Sequence, residues 1–495
     1  MTGAEPVPVA DVAPTGRRRP GRPRRSTVFF LLAFLLGGAA FIAVTPPGQN
    51  PDEATHFYRA WQIAQLNLVS DEASEVTDRT DDPAIGGIVP SGAPAMFDAA
   101  KMTGGFDESV KFDDLDAGEL LSFTSDSAPT FVGFVNTAAY PPVAYVPQVL
   151  AIWVGELTGA PLLVTLYLGR VAGLLAGALV ITAALRLAVV GRWPMLALAL
   201  LPATVSQAAS FSADGMTIAS AFFVTALVLR MATAPHRAST WTWAGLAASF
   251  VVVALVKPTY APLAAIVLVV PLLNRAERTI RGASWTALAI AAAAVPTLLW
   301  ARVIEFVDYG VNPANDVDLQ TAYVLENPLR FVRAAFNIFV LDMPNGLTDQ
   351  KGDLYRGIFG DFAWLRAPLP MLFLLALVVV LVLSVLVADP AERPVLARLR
   401  RSWLWRVVLV GAAVGTSLGV AGALYLYYTP TYGQVVQGLQ GRYFLPVLLA
   451  LLTAFLGNRL VSERGVRTAM GVVLVLSLAA GVAIVHLRYF VELPT

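Results

Sequence analysis

The chain contains no cysteine among its 495 residues, which excludes disulfides and thiol chemistry. Histidine is nearly missing too. His56, His236 and His486 are far apart in sequence, so a zinc site of the usual kind is not expected. There is no G-x-x-x-x-G-K-[ST] phosphate loop and no H-E-x-x-H motif, so neither nucleotide hydrolysis on a P-loop nor zincin-type proteolysis has its parts. Charge is scarce: Asp, Glu, Lys and Arg make up 14% of the chain, against about 25% in a soluble globular protein. What fills the chain instead is apolar, with 57% hydrophobic residues and a mean hydropathy of +0.65. Such a chain is solvated mostly by lipid, and the bilayer rather than nucleic acid is its expected partner.

The few charges are strongly segregated, so the net charge of +1 says little. Residues 1–26, rich in Pro and Arg, read as a disordered basic tail, and 27–488 as the membrane domain. The first apolar run, 28–44, follows Arg17, Arg18, Arg19, Arg22, Arg24 and Arg25 and ends in Pro46-Pro47 without an A-x-A site. It reads as an uncleaved helix with its N-terminus in the cytoplasm. Between Pro46 and Ala138 there are sixteen Asp and Glu against four Lys and Arg, which places this loop, with its interfacial helices, outside.

Further apolar runs cover 160–188, 194–209, 212–231, 241–256, 258–274, 284–306, 367–388, 407–427, 443–457 and 468–487. Basic clusters at Arg186 and Arg192, at Arg230 and Arg237, at Arg275 to Arg281, at Arg398 to Arg406 and at Arg459 to Arg467 all fall inside if the runs alternate. The result is an all-α bundle of eleven spans, with a second outer loop at 307–365 and a short outer tail at 489–495. The apolar stretch 140–157 would break the alternation if it crossed. It is expected to be interfacial or re-entrant, and the count rises to twelve or thirteen otherwise.

With this topology the polar residues nearest the apolar runs gather on one face: Asp52, Glu53 and His56 after the first helix, Asp214 and Lys257 at outer turns, and Arg442 at the start of a late helix. Ionisable groups so close to hydrocarbon are costly and point to function. Each also has a structural reading. Asp52 can cap a helix beginning at Glu53, Asp214 can be a turn residue before Gly215, and Lys257 can snorkel. Arg59, Tyr58 and Arg442 can anchor helices at the headgroups. The functional reading is group transfer from a lipid phosphate. A carboxylate, Asp52 or Glu53, takes the acceptor proton, with His56 and Asp214 in support. Arg442 and Lys257 hold the donor phosphate. Tyr140, Tyr145, Tyr260, Gln440 and Tyr443 line the substrate site. Asp52 and Glu53 can also contribute to a divalent cation site, although no ligand cluster of regular spacing is present.

Pro46-Pro47 followed by Pro51-Asp52-Glu53 and His56, the Ser210 to Asp214 turn, Lys257 with Tyr260, the Gly357 to Pro370 stretch and Gln440-Gly441-Arg442-Tyr443-Phe444-Leu445-Pro446 together resemble a bacterial family of polytopic membrane proteins. That family carries a domain-of-unknown-function label and is similar to the GT-C glycosyltransferases. The resemblance implies an enzyme of the bacterial cytoplasmic membrane that takes sugar from a polyprenyl-phosphate donor on the outer side and adds it to an envelope glycan or protein. It also implies an essential acid just after the first helix, a role that falls on Asp52 or Glu53. Asp214 loosely matches a second acid in a later outer loop. The chain lacks the large soluble C-terminal domain of many GT-C members, so acceptor contacts are expected from 61–138 and 307–365. A transporter or flippase of lipid-linked glycans is the alternative, and an inactive assembly scaffold a third reading.

Overall fold

The computed structural model describes residues 25–73, 85–101, 110–304, 312, 314–340, 353–400, 402–457 and 464–491. Most of the expected tail 1–26, Asp308, Asp342, Asp349, Lys351, Arg459 and most of the expected outer tail 489–495 lie outside the described residues. The protein is mostly helical. Among the described residues, six helices are long and apolar enough to cross a membrane: Arg25–Val44, Leu162–Leu187, Asp214–Thr233, Ile280–Val303, Leu404–Tyr427 and Arg464–Phe490. At about 1.5 Å rise per residue, each reaches the roughly 30 Å of a bilayer's hydrocarbon core. They are apolar all round, as buried or lipid-facing helices must be. Asp214–Thr233 sits in the centre, with 78% of its apolar window buried in the protein. Ile280–Val303 is peripheral, with only 17% buried, and turns Leu288, Val295, Leu298 and Leu299 outward. An apolar face of that kind would be a liability in water and is ordinary in lipid.

The remaining apolar runs are shorter or broken, and the breaks have local causes. The run expected as one span over 194–209 is two helices, Arg192–Ala199 and Pro202–Ala208. Pro202 cannot donate to the preceding turn and pushes Leu201 into an extended conformation (φ −60°, ψ 137°). The run expected over 258–274 begins as a 3-10 helix, Pro258–Leu268, with Pro258 and Pro262 in it, and becomes α-helical only over Val269–Leu273. The run expected over 443–457 likewise opens as a 3-10 turn, Gly441–Phe444, before helix Leu445–Ala454. Segment 140–157 forms a 3-10 turn, Pro142–Tyr145, and helix Val146–Thr158, which packs back on Leu162–Leu187. Its 13 residues span about 20 Å, too short to cross alone.

The expected all-helical architecture needs one correction, because the acidic segment after the first helix also holds a sheet. Strands β1 (Asp71–Glu72), β2 (Ile85–Pro90) and β3 (Pro129–Gly133) are antiparallel in that order. The pairing depends on Gly86, where an added Cβ would stand 1.8 Å from the Val132 carbonyl oxygen. A helix-only reading misses Ile85-Gly86-Gly87-Ile88-Val89-Pro90 because its glycines weaken any periodicity. The sheet rests on the amphipathic helix Glu53–Ala64 through Gln62, whose amide donates to the Gly86 carbonyl of β2 at 3.4 Å and to the Val69 carbonyl ahead of β1 at 2.9 Å. Phe57, Trp61, Phe97 and Phe211 form the apolar core beneath it. A second hairpin, β4 (Asp361–Phe362) and β5 (Ala367–Pro368), precedes helix Met371–Leu386. Its turn holds Ala363, Trp364 and Leu365 consecutively at φ 51°, 58° and 64°, a left-handed run that is unusual without glycine.

Candidate functional site

Two helix starts and two of the 3-10 turns come together, and each places one charged side chain there. Asp52 precedes helix Glu53–Ala64, Asp214 opens helix Asp214–Thr233, Lys257 precedes the Pro258–Leu268 turn, and Arg442 lies in the Gly441–Phe444 turn. Lys257 Nζ donates to Asp214 Oδ1 at 2.9 Å. Arg442 bridges the two acids, with Nε 3.3 Å from Asp214 Oδ2 and a terminal nitrogen 3.4 Å from Asp52 Oδ2. Lys257 is therefore not snorkelling, and Arg442 is paired and buried rather than anchored among headgroups. Lys257 Nζ lies 5.1 Å from the Tyr140 ring centre and 4.7 Å from that of Tyr443, so the ammonium is held between two aromatic rings.

Asp52 occupies the position before the helix, but its side chain makes no capping bond. It accepts instead from the Asn136 amide at 2.9 Å and faces Arg442, with its side chain 31% exposed. Its backbone is left-handed at φ 61°, which turns the carboxylate away from the helix it precedes. It is the one acid of the cluster with substantial access. Sequence reasoning does not single out Asn136, and no local signal marks it.

Glu53 has a different environment. It is completely buried, and Arg170 grips it with Nε at 2.8 Å from Oε1 and a terminal nitrogen at 2.6 Å from Oε2. Gly48 N, Asn50 Nδ2 and Phe211 N also donate to it at 3.0, 3.0 and 3.2 Å. Arg170 in turn donates to the Thr45 and Pro46 carbonyls, tying the end of the first helix to Leu162–Leu187. The two halves of the expected catalytic pair thus occupy different environments. Glu53 holds the fold around the site, and Asp52 faces it.

His56 Nδ1 lies 2.6 Å from the Tyr145 hydroxyl. Burial pushes its pKa down to about 4, with Lys257 and Arg442 acting in the same direction against Asp52 and Asp214, so it is neutral near pH 7. Burial raises the Tyr140 phenol to about 12. Tyr145 and Tyr260 are sealed behind the site rather than lining open space. Tyr145 supports His56, and the Tyr260 hydroxyl donates to the Tyr443 carbonyl at 2.7 Å. Arg59 is not a headgroup anchor. It is fully buried, and its guanidinium donates to the Tyr140 and Leu68 carbonyls because both backbone segments would otherwise lack partners in the interior.

The Gly357 and Gln440-Gly441-Arg442 stretches pack directly on each other. A Cβ on Gly441 would stand 2.1 Å from the Leu354 carbonyl oxygen, so only glycine lets helix Asp353–Phe359 approach the turn that carries Arg442. Gln440 is 8% exposed, and its side-chain amide oxygen Oε1 has no hydrogen-bond partner among the described residues. For cation binding, no group of three or more His, Asp or Glu that could hold a metal occurs among the described residues.

Membrane-length helices and a buried charged site define a polytopic membrane protein. A family model described as a predicted membrane protein (DUF2142) matches residues 34–451, and the chain belongs to that family. Neither a curated protein nor a solved structure matches it.

Proposed function

We propose that this protein is a membrane glycosyltransferase. It takes sugar from a polyprenyl-phosphate donor and transfers it to an envelope glycan or protein on the outer face of the bacterial cytoplasmic membrane. The observation that carries the reading is the convergence of the accessible Asp52 carboxylate with the Lys257–Asp214–Arg442 cluster. The reading keeps the eleven-span, GT-C-like topology, with the N-terminus in the cytoplasm and this site outside.

In this mechanism the acceptor hydroxyl attacks the anomeric carbon while its proton passes to Asp52. The bond from that carbon to the phosphate oxygen breaks, and the electron pair leaves with polyprenyl phosphate. Attack opposite the leaving group inverts the sugar carbon. Arg442 and Lys257 neutralise the departing phosphate, and Asp214 and the rings of Tyr140 and Tyr443 hold the two cations in place. Asp52 is preferred to Glu53 as base because both oxygens of Glu53 are engaged by buried donors. Asn136 and Arg442 hold the Asp52 carboxylate in place.

The test is transfer by purified full-length protein from a panel of polyprenyl-phosphate sugars. Transfer by the native chain that is lost in Asp52→Asn, with the variant still folded, is the expected result. Full activity in Asp52→Asn overturns the assignment of the base. Movement of lipid-linked sugar across vesicles without any transfer replaces the enzyme with a flippase. Orientation is open to a clean test because the native chain has no cysteine. Single cysteines at Asp316 and Arg398 should label from opposite sides of the membrane.

A further inference from the structure

A small pocket opens beside Arg442, between helix Pro202–Ala208, the β4–β5 hairpin and the Gly441–Phe444 turn. Ser206, Gln207, Asp361, Gln440 and Arg442 supply its polar lining, and Phe362 an apolar wall. It is narrow and suits a hydroxyl-sized group rather than a whole ring. Flanking Gly441, two buried side-chain atoms of the pocket's lining residues make no hydrogen bond among the described residues: Gln440 Oε1, an acceptor, and Arg442 Nε, a donor that is within ion-pair range of Asp214 only. Buried polar atoms are nearly always satisfied, so two on the lining residues of one pocket call for an outside partner. That partner must donate a proton to Gln440 and present negative charge to Arg442. A sugar phosphate ester does both, through a ring hydroxyl close to its phosphate.

We infer that this pocket reads the sugar of the phosphate-linked substrate, with a ring hydroxyl donating to Gln440 Oε1 while Arg442 pairs with the phosphate. This rests on the function proposed above and adds to it a specificity-determining residue, Gln440. Apolar replacement of Gln440 removes the acceptor while leaving the phosphate contacts, so it acts on sugar recognition alone.

The experiment measures binding to the full-length protein in lipid nanodiscs. The probes are citronellyl phosphate, its hexose and pentose esters, and a soluble hexose 1-phosphate. The native chain should bind its best ester about tenfold more tightly than bare citronellyl phosphate, the scale of one well-made hydrogen bond. In Gln440→Leu that advantage should disappear, with affinity for bare citronellyl phosphate unchanged. Gln440→Met gives the same comparison if the leucine variant does not fold. The inference is overturned if no ester outbinds the bare phosphate in the native chain, or if the advantage survives the loss of Gln440. Equal, Gln440-dependent binding of the soluble sugar phosphate supports the pocket and makes a free sugar phosphate, not the lipid ester, the source of the ligand. Gln440-dependent binding without transfer would remove the catalytic proposal and leave this pocket. Transfer without Gln440 dependence would do the reverse.

Discussion

Two ionic assemblies begin at neighbouring residues and end in different places. Glu53 and Arg170 form a sealed pair with no exposed side-chain surface, in which five donors converge on one carboxylate. Asp52, Arg442, Asp214 and Lys257 form an open chain of alternating charges whose outer member is 31% exposed. A buried ion pair gains little over a well-packed apolar substitute, but removing one partner leaves a costly unpaired charge. The sealed pair therefore behaves as a structural clamp between the first helix and Leu162–Leu187. The open chain can exchange one of its partners for an incoming anion. Two positions next to each other point in different directions because Glu53 begins the helix while Asp52, just before it, has a left-handed backbone at φ 61°.

Replacing Glu53 by Gln should have the largest effect. It strands the Arg170 guanidinium in the interior and should cost about 3–5 kcal/mol, read as loss of folded protein on size exclusion in detergent. A melting temperature equal to that of the native chain would remove the distinction between clamp and site. Asp52→Asn should leave the melting temperature close to native and lower transfer by about 10²- to 10⁴-fold, the usual worth of a general base.

The third test uses His56. Its folded-state pKa of about 4 lies below the ordinary 6.5, so the unfolded chain binds the extra proton first. Stability from this group is fully present above pH 6.5 and is lost as pH falls towards 4, by roughly 3 kcal/mol in all. A pH series of melting temperatures on the native chain and His56→Gln should show the acid-side loss reduced in the variant. Identical slopes would show that His56 is not the group responsible. The smallest effect is expected from Gly441→Ala. Its methyl must push helix Asp353–Phe359 away from the Arg442 turn, at about 1–3 kcal/mol. Binding of citronellyl phosphate should weaken with it, and unchanged binding would mean that Arg442 does not depend on this close approach.

Several of these features are legible in the amino-acid sequence. The apolar runs at 28–44, 212–231 and 407–427 are close to helices Arg25–Val44, Asp214–Thr233 and Leu404–Tyr427, because length and hydropathy alone define a membrane-length helix. Asp52, Asp214, Lys257 and Arg442 stand out because charge beside a long apolar run is expensive. Gln440 stands out with them through its place next to Gly441 and Arg442. The broken run at 194–209 is less legible, since hydropathy continues across Pro202 although the backbone cannot. Arg170 looks like an isolated charge within a span, because its partner Glu53 lies 117 residues earlier in the chain. Asn136, Ser206 and Asp361 carry no signal of their own. They matter only through what packs beside them.

The sequence by itself determined a membrane protein, its principal apolar helices and the set of charged residues that cannot be left in lipid without purpose. Those are properties of composition and of runs, and the free energy of transfer to a bilayer depends on little else. Tertiary structure alone decided that Glu53 is sealed and Asp52 accessible, that Arg442 bridges two acids, and that Gln440 Oε1 meets no donor among the described residues. Each of those depends on partners from distant segments meeting within hydrogen-bonding distance, a range over which one turn of helix changes which group is buried.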